Sequence, residues 1–289
     1  MIMTKRTKLR SKAIVLGLLW WGICTHTNTV AATDFIHDER RKPSKEETVS
    51  QVKEMVSLLG DQHCEKRESA IFQKFPLLAT VPDEVFIKET ALSSNTLKRK
   101  VTDLLAVREQ GIKVGHEFEK LLRELIFPAL KKLATEDAGL LAQSKDTLLQ
   151  ISRSQTAPVP KRRAAIGSME FFVDQYSDPE GKLEKQGLPV SQWKRALVDL
   201  LRSDDSFLRT EVAGSIGVSD EFRDVERALI IPILLSALRN NDLSTRSLAQ
   251  RALVKLTGEK FCVDPTDFNE DREEGIRKWE HWWERTKTP

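Results

Sequence analysis

The chain contains no stretch that alternates apolar and polar residues with period two over the length of a strand. It has a single tyrosine, Tyr176, and few aromatic residues of any kind (7%). Leu, Ala, Lys, Glu and Arg dominate instead, which removes a β-sheet reading and leaves an all-α class. Also missing are the GxSxG elbow of serine hydrolases, the glycine-rich loop that cradles phosphates and the HExxH pair of zinc peptidases, so no motif points to a catalytic, cofactor-binding or metal-binding residue. The four histidines beyond residue 32 (His37, His63, His116, His281) are scattered. His63 and Cys64 are adjacent, and neighbours in sequence do not face one another on a helix. No second Cys or His stands at ligand spacing from them.

Cysteine is scarce, with three in 289 residues: Cys24, Cys64 and Cys262. Cys24 ends the apolar run Ala13–Cys24, whose 12 residues are too few for a bilayer span of about 20. Lys5, Arg6, Lys8, Arg10 and Lys12 precede that run, and small residues at Val30-Ala31-Ala32 follow it. Residues 1–32 therefore read as a secretory signal, with an uncleaved N-terminal membrane anchor as the alternative. Bulky Ile23 before Cys24 disfavours a lipoprotein signal. The expected location is outside the cytoplasm, periplasmic or extracellular, with no stable membrane insertion after cleavage.

The formal charge of +3 comes from this leader. Without residues 1–32 the chain holds 41 basic and 43 acidic residues, a net charge of −2. That balance gives no support to nucleic-acid or anionic-membrane binding.

Residues 33–45 are polar and aperiodic and read as a flexible leader. From 46 on, the pattern is helical. Ser44 and Glu47 form a capping box, and Val49, Val52, Val56 and Leu59 make the first apolar face. Ala70, Ile71 and Phe75 follow. Next come Val85–Leu92, a turn at 93–95, a helix with Leu97, Val101, Leu104 and Leu105, and a separate longer helix carrying Phe118 to Leu133. A mate spans Ala138–Ile151. The stretch Lys161–Val173 turns Ala165, Ile166, Met169 and Phe172 inward. Residues 174–190 break the pattern with two glycines and two prolines, and this loop, with Tyr176, is a place to look for a partner contact.

The clearest segment is Leu229–Gly258. Leu229, Ile230, Ile233, Leu234, Ala237 and Leu238 form one helical face, and Leu248, Ala249, Ala252, Leu253 and Leu256 another. Asn240-Asn241-Asp242 turns between them, Ser244 is placed to cap the second helix, and Gly258 ends it. So short a pair needs neighbours built alike. In four places a leucine ending a first helix precedes a base by eight residues: Leu59/Arg67, Leu92/Lys100, Leu201/Arg209 and Leu238/Arg246. Arg209 and Arg246 are 37 apart, and Arg67 and Lys100 are 33 apart. Leu125-Ile126-Phe127-Pro128 recurs as Leu229-Ile230-Ile231-Pro232, 104 residues on. A base at a helix start opposes the macrodipole, so it either reaches an acid or carbonyl of a neighbouring turn, such as Asp205 or Asp242, or lies solvated at the surface.

Helix pair, proline within the first helix, Asn/Asp turn and arginine opening the second helix resemble HEAT repeats over about residues 46–258. The terminal run Leu256-Thr257-Gly258, Phe261, Asp264-Pro265, Arg272, Ile276, Trp279, Trp282-Trp283 is similar to the closing segment of exported bacterial HEAT-repeat proteins, with Cys262 where glycine is common. The resemblance implies a right-handed α-α superhelix of about six helix pairs over residues 46–289, ending in a Trp-rich cap over 259–289. It implies a non-enzymatic scaffold that binds a protein through its concave face and carries over no catalytic residue. A HEAT-like enzyme or lyase and a nucleic-acid-binding HEAT protein are the alternatives.

Three expectations follow. The basic clusters Lys98-Arg99-Lys100 and Lys161-Arg162-Arg163 would meet an acidic partner if second helices line the concave face, or else lie solvated. Trp282 would be buried in the cap. Cys64 and Cys262 would stay unpaired, because several helix layers of about 8–10 Å each would separate them and a bridge needs Cα atoms about 4.4–6.8 Å apart.

Overall fold

A computed structural model describes residues 44–73, 81–133, 138–176, 188–222, 225, 227–267 and 269–287. The proposed signal (1–32), all of the leader but Ser44 and Lys45, Phe75 and the core of the 174–190 loop lie outside these residues. Every regular element among the described residues is helical, with no strand. None of their helices is long and apolar enough to cross a membrane.

In order, the helices are α1 (Lys45–Leu59), α2 (Cys64–Gln73), α3 (Asp83–Thr90), α4 (Asn95–Leu121), a π turn (Leu122–Ile126), α5 (Phe127–Leu133), α6 (Ala138–Arg153), α7 (Val159–Gln175), α8 (Val190–Leu200), α9 (Ser206–Val218), a 3-10 turn (Asp220–Phe222), α10 (Arg227–Ala237), α11 (Leu243–Thr257) and α12 (Asn269–Thr286). The Ser44–Glu47 capping box opens α1. Gly258 ends α11 with φ 78°, a left-handed conformation that costs glycine nothing. The N-cap of α11 is Asp242, accepting from Thr245 N, in place of the expected Ser244. Two helices expected between Leu97 and Leu133 are one continuous rod, α4, the π turn and α5. The π turn precedes Pro128, which has no N–H to continue the α pattern.

The chain divides into two compact units. Unit 1 runs to Ile112 and includes Phe261–Trp279; unit 2 comprises Lys113–Lys260 and the residues after Trp279. In unit 1, α1 packs on α2 and α3 around Val52, Met55, Leu59, Ile71, Phe86 and Leu104, all nearly inaccessible. In unit 2, α7 packs on α6, α8 and α9, and α9 packs on α8, α10 and α11. Ile166, Met169, Phe172, Trp193, Val212, Ile216, Ile230 and Leu253 fill the space between. The second helices of three successive pairs, α7, α9 and α11, thus lie side by side. Glycine makes the last contact close: a Cβ on Gly217 would fall 2.8 Å from Ala252 Cβ, and one on Gly214 would fall 2.5 Å from the Leu248 side chain.

The expectation of two free thiols is overturned. Cys64 and Cys262 form a disulfide with Cα atoms 6.1 Å apart. The premise of intervening layers fails because Phe261–Trp279 belongs to the unit of the first helix pairs. The aromatic cap is corrected in detail too. Ile276 and Trp279 are fully buried, while Trp282 and Trp283 are half-buried. Trp279 donates from Nε1 to Phe261 O at 3.0 Å and meets the Phe261 ring edge-on.

Candidate functional site

The polar and charged side chains gather in two places, one in each unit. In unit 1 the focus is the turn Asp264-Pro265-Thr266-Asp267. Asp264 folds the turn by accepting from Thr266 N at 2.8 Å and Thr266 Oγ1 at 2.6 Å. Its buried carboxylate then takes Arg67 Nε at 2.7 Å and Lys100 Nζ at 3.1 Å. Asp267 takes Arg67 Nη2 at 2.7 Å and pairs with Lys100 as well. Arg99 donates to Thr266 O at 3.1 Å. Burial alone would raise the Asp264 pKa, but Lys100, Thr266 and Arg67 outweigh it and hold the carboxyl below its ordinary range. Arg99 and Lys100, expected to face a partner or solvent, instead fasten the C-terminal segment.

In unit 2 a polar seam runs along α7, α9 and α11. At one end Arg162 donates to Ser152 O at 2.8 Å, pairs with Asp205 and stacks 4.3 Å over the Phe207 ring. Arg163 reaches Glu211 at 2.7 Å, Thr245 Oγ1 at 3.0 Å and Asp242. Burial opposes the charge on Arg163, yet Glu211 and Asp242 raise its pKa above the usual guanidinium value. Arg162 and Arg163 of this second basic cluster are likewise spent inside the chain. Further along, Ser215 donates to Glu170 and Ser219 donates to Asp174 at 2.6 Å, both pairs being 45 residues apart. Lys255 closes the far end on Val218 O at 2.7 Å and Asp220 at 3.1 Å.

The repeated base has one role at three of its four positions. Arg67 donates to Asp61 O and Gln62 O, Arg209 to Ser203 O, and Arg246 to Asn240 O and Asn241 O. Each reaches back five or six residues to carbonyls of its own inter-helix turn. Those carbonyls have no helical partner and carry partial negative charge, which resolves the conflict with the macrodipole. Asp205 and Asp242, the acids expected to receive these bases, are N-caps that take Arg162 and Arg163.

His63 is bound to Asp61 at 2.8 Å, and Cys64 is consumed by the disulfide. Among the described residues no group of three His, Cys, Asp or Glu is placed to hold a metal. An open, shallow cleft on the α4–π segment is lined by His116, Glu119, Lys120, Arg123 and Glu124. Sequence reasoning missed Glu170. Its signal was available: one glutamate inside the apolar run Ile166–Val173, at a position the surrounding pattern buries.

No family model matches the chain, and no curated protein or solved structure is significantly similar to it.

Proposed function

We propose that this chain is a HEAT-like α-solenoid scaffold that acts by holding another protein and works outside the cytoplasm. The observation that carries the reading is the 37-residue recurrence in the last two pairs: Asp205 and Asp242 cap α9 and α11, each receives an arginine from α7, and Arg209 and Arg246 close the two turns. Stacked pairs with such a recurrence serve as binding surfaces in repeat proteins. The Cys64–Cys262 bridge supports an oxidising compartment, in keeping with a leader at 1–32.

In this reading the concave row is not the whole contact surface. Arg162 and Arg163 of α7 are engaged with Asp205, Glu211, Asp242 and Thr245, and α9 is buried over Glu211–Val218. Exposed apolar side chains stand elsewhere: Ile87 and Leu92 in unit 1, Phe127 and Val159 in unit 2. The test is affinity capture from the exported fraction with photo-crosslinkers at these four positions, then reconstitution with the purified partner. Saturable binding with crosslinks at one or more of them is expected. A chain that captures no partner able to bind it saturably in purified form would defeat the scaffold reading.

A further inference from the structure

Glu170 is the one fully buried carboxyl in the seam. It lies on α7 with a side chain of 0% exposure. Its Oε2 accepts from Ser215 of α9, and its Oε1 is buried without a hydrogen-bond partner. Asp174, one turn further along the same helix, is the like charge that acts on it. The cations acting on Glu170 come from α11, Arg251 and Lys255, and Lys255 is already committed to Val218 O and Asp220. Lys194 of α8 is held over the Phe222 ring, and Lys145 of α6 lies beside Asp146. A carboxylate here would lose water, keep one hydroxyl donor and face Asp174. The lost water and the facing charge disfavour the ionised form, and the single hydroxyl donor, which favours it, does not make up the difference.

We propose that the Glu170–Ser215 contact is a proton-dependent latch: protonated Glu170 keeps α7 and α9 closed on each other, and its ionisation loosens them. The burial of Glu170, followed by the charge of Asp174, pushes its pKa well above the ordinary glutamate range, with Ser215, Lys255 and Arg251 opposing. Below the pKa of an exposed glutamate, about 4.3, open and closed forms are both protonated and the latch is at full strength. Above it the open form gives up a proton that the closed form keeps. Closure therefore weakens with rising pH until the buried group itself ionises. This inference is independent of partner binding.

The test is amide hydrogen exchange on the full chain from about pH 5 to about pH 9, corrected for the intrinsic rate. In the wild type the opening constant of α7 and α9 rises up to about tenfold per pH unit. In Glu170→Gln, which keeps shape and neutrality, it stays flat. Parallel profiles for the two chains overturn the latch. The Asp174→Asn chain is a second measurement that does not depend on the folding of the Gln variant. Removing the neighbouring charge lowers the pKa of the closed form alone, so the rise levels off at lower pH and is smaller in total, and a levelling-off that stays in place or moves to higher pH also overturns the proposal.

Discussion

Unit 1 sinks an aspartate and surrounds it with cations; unit 2 sinks a glutamate and gives it a hydroxyl. Asp264 receives Arg67 and Lys100 from helices about 160 to 200 residues earlier, plus two donors from its own turn, and stays ionised. Glu170 is fully buried and lies near Asp174, and together these push its pKa well above the ordinary glutamate range against the bond from Ser215. The difference lies in where each unit finds its partners. In unit 2 the partners come from helices that follow one another in the chain, and Asp205 and Asp242, 37 residues apart, each pair with an arginine of α7. Unit 1 is completed by a distant segment fixed by a covalent bond and an ion cluster. Buried charge is tolerated only when paired, so the distant segment has to bring acids to match the bases waiting for it.

The largest expected effect is on the aromatic anchor of that segment. Trp279→Ala removes a fully buried indole and its hydrogen bond to Phe261 O, and should cost about 3–5 kcal/mol in urea unfolding. Trp282→Ala, at a half-buried position, should cost clearly less. Equal losses would mean that the anchor is misassigned.

Breaking the disulfide comes next. Cys64→Ser with Cys262→Ser should destabilise unit 1 by about 2–4 kcal/mol, because the bond closes a loop between residues 198 positions apart. Hydrogen exchange should speed in α1 and α2 before α7 and α9. Uniform acceleration would show that the two units do not respond separately.

Glycines give a contrast of opposite sign. A Cβ at Gly275 would meet Cys262 O at 2.3 Å, so Gly275→Ala should cost about 1–3 kcal/mol through overpacking. Gly115 sits mid-helix in α4 with nothing within 4 Å of such a Cβ, so Gly115→Ala should stabilise by about 1 kcal/mol. Thermal shifts of the same sign would contradict this.

The smallest effect is a divergence with pH. Asp264 has a lowered pKa, so its contribution is complete above the ordinary aspartate value of about 3.9 and is lost as pH falls below it. Glu170 acts in the opposite direction and weakens unit 2 as pH rises. Exchange protection in residues 261–267 should therefore fail first in acid, and protection in α7 and α9 first in alkali.

Local rules carried much of the helical layout. The Ser44–Glu47 box, the Gly258 stop and the inward faces of α7 and α11 rest on spacing within a few residues. What failed was non-local. Nothing in the neighbourhood of Cys64 reveals that Cys262 lies beside it, and a linear stacking rule placed the two far apart. The same blindness left Lys98-Arg99-Lys100 and Lys161-Arg162-Arg163 as surface, since their acids, Asp264, Asp267, Asp205, Glu211 and Asp242, come from other elements. Asp242 displaced Ser244 as cap because its carboxylate serves Thr245 N and Arg163 together.

The bond between Cys64 and Cys262 makes the intervening polypeptide a ring. A protease that cuts once anywhere from Glu65 to Phe261 would leave the fragments joined, with unchanged mass on a gel until a thiol is added. The protein can thus be nicked without being parted.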